Sequence, residues 1–144
     1  MSSGTPRLSN RPILLDTHAA LWLARGDLAA KAVAALATAA SLDVAVLISP
    51  ITAWELGLLV SRGRVALASA PVDWLNELIA TGASWASLTP QVLADASFLP
   101  GQIHRDPADR ILAATARAFG YRLMTRDRAL LAYAEAGHLQ AVAC

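Results

Sequence analysis

Four carboxylates in this chain stand where chemistry can use them. Asp16 ends the short apolar run "PILL". Glu55 lies inside "SPITAWELGLL", between Trp54 and Leu56. Asp109 falls in the first turn of a helical pattern, "DPADRILAATARAFG", and Asp127 directly follows "LMTR". Hydroxyls adjoin two of them, Thr17 after Asp16 and Thr125 two residues before Asp127. Four acids gathered in one place repel one another and raise one another's pKa values unless a cation neutralises them. A hard divalent ion such as Mg²⁺ takes oxygen ligands, keeps several waters and uses one or two carboxylates directly. An ion held this way can activate a bound water against phosphorus and stabilise the leaving oxygen, which is the chemistry of phosphodiester hydrolysis.

Each acid also has a plainer explanation. Asp16 and Asp127 have the setting of helix caps, Asp109 complements the positive end of a helix, and Glu55 suits a surface or an ion pair with a nearby arginine. Their arrangement favours the joint reading, provided that the elements between them bring them to one edge.

Those elements alternate. Ile13–Asp16 reads as a strand and Thr17–Ala24 as a helix, followed by a second helix over Leu28–Ala40. The aliphatic run Val44–Ser49 reads as a strand buried on both faces, as in a parallel sheet. Pro50 opens a helix through Arg62, and another runs from Pro71 to Ala80. "ASWASL" is a weak strand, and Thr89-Pro90 starts a helix leading to Phe98. Asp106–Gly120 has an acid at the cap, proline next, an apolar stripe and a closing glycine. Tyr121–Thr125 is a strand, Asp127–Ala136 a helix and "LQAVA" a final strand. Alternation of this kind predicts a single-domain, three-layer α/β fold with a central parallel sheet, whose sites form beyond the carboxyl ends of the strands. Asp16, Asp109 and Asp127 fall at strand ends or helix starts, and Glu55, about one and a half turns into its helix, can reach the same edge.

Composition sets the outer limits. The 144 residues are 56% hydrophobic, enough for one core without disulfides, and the single cysteine, Cys144, excludes a cysteine metal cluster. No apolar run spans a bilayer, and "MSSGTPRLSNRP" has no apolar signal core, so the first ten residues are expected to be a disordered leader, residues 11–144 the domain, and the cytoplasm its location. A net charge of +1 gives no global basic field, although eleven of the twelve cations are arginine and Lys31 is the only lysine. There is no Gly-rich phosphate loop and no nucleophile elbow. "HRD", His104–Asp106, fails as a kinase loop because Ile111 stands where its asparagine belongs. A receiver-type signalling domain also gathers acids at strand ends, but needs a lysine near the last strand, whereas Lys31 lies in an early helix.

The motifs "LLDTHAALW", "ISPITAWELG", "HRDPADRILAATARAFG" and "RLMTRD" together resemble the PIN-domain ribonucleases, specifically the VapC-type toxins of toxin–antitoxin pairs, from about Arg11 to Val142. The resemblance implies an α/β/α fold, Mg²⁺- or Mn²⁺-dependent endonucleolytic cleavage of RNA, a homodimer and a neutralising antitoxin. It carries the family's acids to Asp16, Glu55, Asp109 and, at the position most variable in the family, Asp127. The rival within the same fold is a PIN-like module that binds protein or RNA without cutting, but all four acidic positions are filled.

The neighbours of these acids are weighed one by one. Asp106 reads as the cap of its helix or a partner of Arg110, with a supporting place behind the metal as the alternative. Thr17 and Thr125 are candidates to hold a water, a phosphate or a metal. His18 and His104 read first as hydrogen-bonded structural residues. Arg105, Arg110, Arg126 and Arg128 surround the acids, and Arg62 and Arg64 follow the Glu55 helix; they are candidates for RNA phosphates, for balancing the acids, or for receiving an antitoxin's acidic residues. Trp22, Trp54, Trp74 and Trp85 read as core or interface packing. The Ala- and Leu-rich helices are expected to form dimer and antitoxin grooves.

Overall fold

The computed structural model describes residues 8–144. Five parallel strands form one sheet: β1 (Ile13–Leu15), β2 (Val46–Ile48), β3 (Ser84–Trp85), β4 (Arg122–Thr125) and β5 (Gln140–Ala143), in the order β3-β2-β1-β4-β5. Leu14 of β1 is level with Leu47 on one side and Leu123 on the other. The chain builds outward from β1 to β3, then returns across β1 to add β4 and β5. The order therefore reverses beside β1, where open parallel sheets form their clefts.

Alternation along β1 sorts its side chains between two cores. Ile13 and Leu15, with Ile48 and Met124, pack against α1 (Thr17–Arg25), α2 (Ala30–Ser41), α3 (Ile51–Ser61) and α4 (Pro71–Ala80). Leu14, with Leu47 and Leu123, points the other way, toward Leu112 and Ala116 of α6 (Pro107–Phe119) and Leu130 and Tyr133 of α7 (Arg128–Glu135). The short α5 (Pro90–Asp95) docks on α6 through Val92, Ala96 and Ala114. This is the expected α/β/α sandwich, and the apolar character of β1 and β2 follows from cover on both faces.

The helices begin where polar caps predict. Asp16, Thr89, Asp106 and Asp127 each accept a backbone N–H of the first turn with the side chain. Gly120, at φ 71°, closes α6 in the left-handed region, where a Cβ would stand 2.7 Å from Arg11 Nη1. The helix expected to reach Phe98 stops at Asp95 and leaves Phe98 84% exposed. Past Asp95 the chain tightens into turns instead, the Ser97 and Phe98 N–H groups donating to the carbonyls of Ala94 and Asp95.

Of the leader expected over the first ten residues, only the last three are described. Leu8–Asn10 form a 3-10 turn, and Arg122 donates to the carbonyls of Ser9 and Arg11; the rest of that leader lies outside the described residues. Among the described residues no helix is long and apolar enough to cross a membrane. The tryptophans divide. Trp22 and Trp74 pack against the first core, whereas Trp54 and Trp85 are 52% and 41% exposed and belong to no core.

Candidate active site

Parallel strands place all their carboxyl ends on one edge, and a cleft of about 410 Å³ opens there, lined by Asp16, Thr17, Glu55, Asp106, Asp109 and Asp127 together with His18, Trp22 and Arg126. The four acids singled out by type and spacing therefore meet, although 111 positions separate Asp16 from Asp127.

Each acid is held by the element that carries it. Asp16 is 5% exposed; its Oδ1 accepts the Ala19 N–H at 2.7 Å, and its Oδ2 accepts the Thr125 hydroxyl at 2.6 Å. Glu55 accepts the hydroxyl of the buried Thr17, which also lies 3.4 Å from the hydroxyl of Thr52. Thr52 sits three residues before Glu55 on the same face of α3, a spacing that flags it in hindsight. Asp109 lies in the first turn of α6, and its N–H donates to Asp106 Oδ1 at 3.0 Å. Asp127 caps α7 by accepting the Leu130 N–H at 2.9 Å, while its own N–H donates to Thr125 Oγ1 at 3.1 Å.

The electrostatics are those of a site short of positive charge. Burial, followed by repulsion from Asp106, Asp127, Glu55 and Asp16, pushes Asp109 up to about 8. Glu55 is raised by burial and by Asp106 and Asp16, against the opposing bond from Thr17. Asp16 is also raised, burial outweighing its bonds to Thr125 and Ala19. Raised carboxyls at one cleft are a signature of functional sites.

The PIN-domain family model matches residues 13–136, a span that takes in all four acids. The chain belongs to the PIN-domain family. It is 36% identical over 118 residues to Ribonuclease VapC22 of Mycobacterium tuberculosis (strain ATCC 25618 / H37Rv), covering 82% of this chain and 88% of that protein. Its fold is similar to that in the crystal structure of VapBC2 from Rickettsia felis bound to a DNA fragment from their promoter, with a TM-score of 0.67 at 16% identity, covering 92% of this chain and 98% of the other. It also resembles the crystal structure of FitAcB from Neisseria gonorrhoeae, with a TM-score of 0.53 at 23% identity, over 90% and 96% of the two chains.

Within this PIN domain the arginines near the acids are held in different ways. Arg110 makes no pair with Asp106; its Nε donates to the carbonyl of Ala96 at 2.8 Å and its Nη1 to those of Ile103 and His104. That guanidinium clamps the loop before α6 and does not line the cleft. Arg126 lines the cleft, with its guanidinium 3.7 Å from the centre of the Trp22 ring and hydrogen bonds to the main-chain oxygens of Asp27 and Cys144. Arg105 is exposed beside Asp106. Arg62, Arg64 and Arg128 do not line the cleft.

The PIN domain's donor set fits a divalent ion. Every carboxylate offers hard oxygen, the acids repel one another, and His104 Nε2 is buried near Asp109 and Asp127 with no hydrogen-bond partner. The fit rests on the carboxylates, whose mutual repulsion a bound cation would relieve.

Proposed function

We propose that this PIN domain is a metal-dependent endoribonuclease and the toxin of a toxin–antitoxin pair, working in the cytoplasm. The observation that carries the reading is the meeting of Asp16, Glu55, Asp109 and Asp127 in one cleft with three of their pKa values raised. Similarity to a protein named as a ribonuclease supplies the substrate class.

In this reading Asp16, Glu55, Asp109 and Asp127 hold Mg²⁺ or Mn²⁺, which supplies an activated water and charge neutralisation at phosphorus. The protein's own part is placement. Thr125 and the Ala19 N–H fix both oxygens of Asp16, and Thr17 fixes Glu55. Arg126 gives the acidic cleft a cationic wall against which an RNA phosphate can lie. The exposed Arg105, next in sequence to the cleft-lining Asp106, is a second cation for the RNA backbone.

A second, larger cavity of about 650 Å³ lies away from the acids, lined chiefly by Leu23, Leu36, Val44, Trp74 and Leu78. Its apolar lining suits the amphipathic helix of an antitoxin, and the exposed Trp54 and Phe98 offer apolar surface to a second copy in a homodimer.

The deciding experiment incubates the purified chain with a mixed RNA pool in Mg²⁺, in Mn²⁺ and in EDTA, beside Asp16→Asn. Asparagine caps a helix as well as aspartate does, so the variant keeps the α1 cap although it loses an acceptor for Thr125, and its fold is checked by its melting curve. Discrete metal-dependent cuts that weaken at least about 100-fold in the variant are expected. A folded wild type that cuts nothing in either metal would leave a binding module and sink the nuclease reading.

A further inference from the structure

We propose that His104 is a positioning residue, whose Nε2–H holds the Asp109 and Asp127 carboxylates in register for the divalent ion; the inference rests on the metal reading above.

The geometry fixes which ring nitrogen faces the acids and which proton it carries. His104 Nδ1 accepts the backbone N–H of Asp106 at 3.1 Å. A nitrogen that accepts has no proton of its own, so the neutral ring carries its hydrogen on Nε2. That nitrogen lies 3.2 Å from Asp109 Oδ2 and 3.4 Å from Asp127 Oδ1, shielded from solvent and without an aligned acceptor. A small rotation of either carboxylate supplies the missing bond. The same tautomer argues against His104 as a ligand, despite its grouping with Asp109 and Asp127 within 4.8 Å. A histidine that ligates through Nε2 carries its proton on Nδ1, where the Asp106 N–H already points.

The loop before α6 is built to keep the ring there. Arg110 grips the carbonyls of Ala96, Ile103 and His104. The Tyr133 hydroxyl donates to the Pro100 carbonyl at 2.5 Å, and His138 stacks on the Tyr133 ring at 4.7 Å while crowding Gly101. Contacts from α6, α7 and the turn after it thus hold a segment with no regular secondary structure. Its product is one imidazole spanning acids from two different helices. Partners of this kind, standing behind metal-ligating carboxylates, cost about 10–100-fold in metal affinity or activity when removed.

The test titrates Mn²⁺ alone into the RNA-free chain by calorimetry, for wild type, His104→Ala, His104→Asn and His104→Gln. Glutamine places an N–H donor near the position of Nε2. Asparagine reaches the Asp106 N–H but stops short of the acids, so it controls for loop structure. We expect Mn²⁺ affinity to fall about 10–100-fold in the alanine and asparagine variants, with thermal midpoints in EDTA held to about 2 °C. The glutamine variant should recover most of the loss. Affinity in His104→Ala equal to or above that of wild type overturns the proposal while leaving the metal site standing. A folded glutamine variant as weak as alanine overturns it too, because the imidazole nitrogen is then itself a ligand. A wild-type chain that takes no Mn²⁺ removes the metal reading and this inference together.

Discussion

The hydroxyl of Thr125 donates to Asp16 Oδ2 at 2.6 Å and accepts the N–H of Asp127 at 3.1 Å. A fully buried side chain at the end of β4 thereby sets the carboxylate that ends β1 and the turn that presents the next acid. Thr125→Val keeps the shape and removes both bonds. It should cost about 1–3 kcal/mol in denaturant unfolding, since Asp16 and the Asp127 N–H lose a buried partner, and weaken Mn²⁺ binding about tenfold. Thr125→Ser should restore binding. Equal Mn²⁺ affinity in the valine variant would show that Asp16 needs no such support.

The raised carboxyl of Asp109 makes a statement about stability as well as binding. Its folded pKa of about 8 lies above the ordinary value of 3.8, so the metal-free folded chain binds more protons than the unfolded chain between those limits. Stability without metal should therefore fall as pH rises from about 4 to about 8 and level off above, the sign opposite to that of a salt-bridged acid. Asp109→Asn should make that slope shallower, leaving the part due to the raised Asp16 and Glu55, and stabilise the EDTA-treated protein at pH 8 by about 1–2 kcal/mol, the gain available when a strained functional charge is removed. The same variant should gain nothing from Mn²⁺, whereas wild type at 100 times its Kd gains about 2.7 kcal/mol. Thermal melts across pH, with and without Mn²⁺, check each part. A metal-free stability that climbs through this range would contradict the assignment.

Much of this was legible before any coordinates. The strand–helix alternation and the polar caps at Asp16, Thr89, Asp106 and Asp127 are local signals that the structure bears out, while the aliphatic run Val44–Ser49 shortens to a strand over Val46–Ile48 that is buried at Leu47 and Ile48. Convergence of the acids followed from parallel topology, which needs no side-chain detail. What stayed hidden were contacts between segments far apart in sequence. Nothing local tells that Arg110 will spend its guanidinium on the Ala96 carbonyl, or that Trp54 faces outward from an all-round apolar helix. The tautomer of His104 depends on one backbone N–H, and Leu8–Asn10 are ordered by an arginine more than a hundred residues away.

The arginines separate into two kinds by experiment. Arg110→Ala strips carbonyls of the loop before α6 of a half-buried donor and should lower stability by about 2–3 kcal/mol. Arg105→Ala touches an exposed side chain and should leave the melting curve within about 0.5 kcal/mol. Its effect should fall on RNA: weaker binding in Ca²⁺, and a salt dependence reduced by about one phosphate contact. A salt slope unchanged in Arg105→Ala would remove it from the RNA path.

Asp106 and Asp109 lie three residues apart, and the structure gives them different work. Asp106 is exposed and caps α6 by accepting the Asp109 N–H; it also stands first, after burial, among the causes that raise Asp109. Asparagine preserves the cap and removes the charge, so Asp106→Asn should unfold like wild type, while alanine should cost about 1 kcal/mol. Losing that charge lets Asp109 ionise at lower pH, so the rise of Mn²⁺ affinity with pH should move toward acid, because the ion binds the deprotonated group. RNA cleavage at pH 8 should survive in Asp106→Asn and vanish in Asp109→Asn. If both variants lose cleavage and Mn²⁺ binding alike, Asp106 is a direct ligand and the cap is only the second of its tasks.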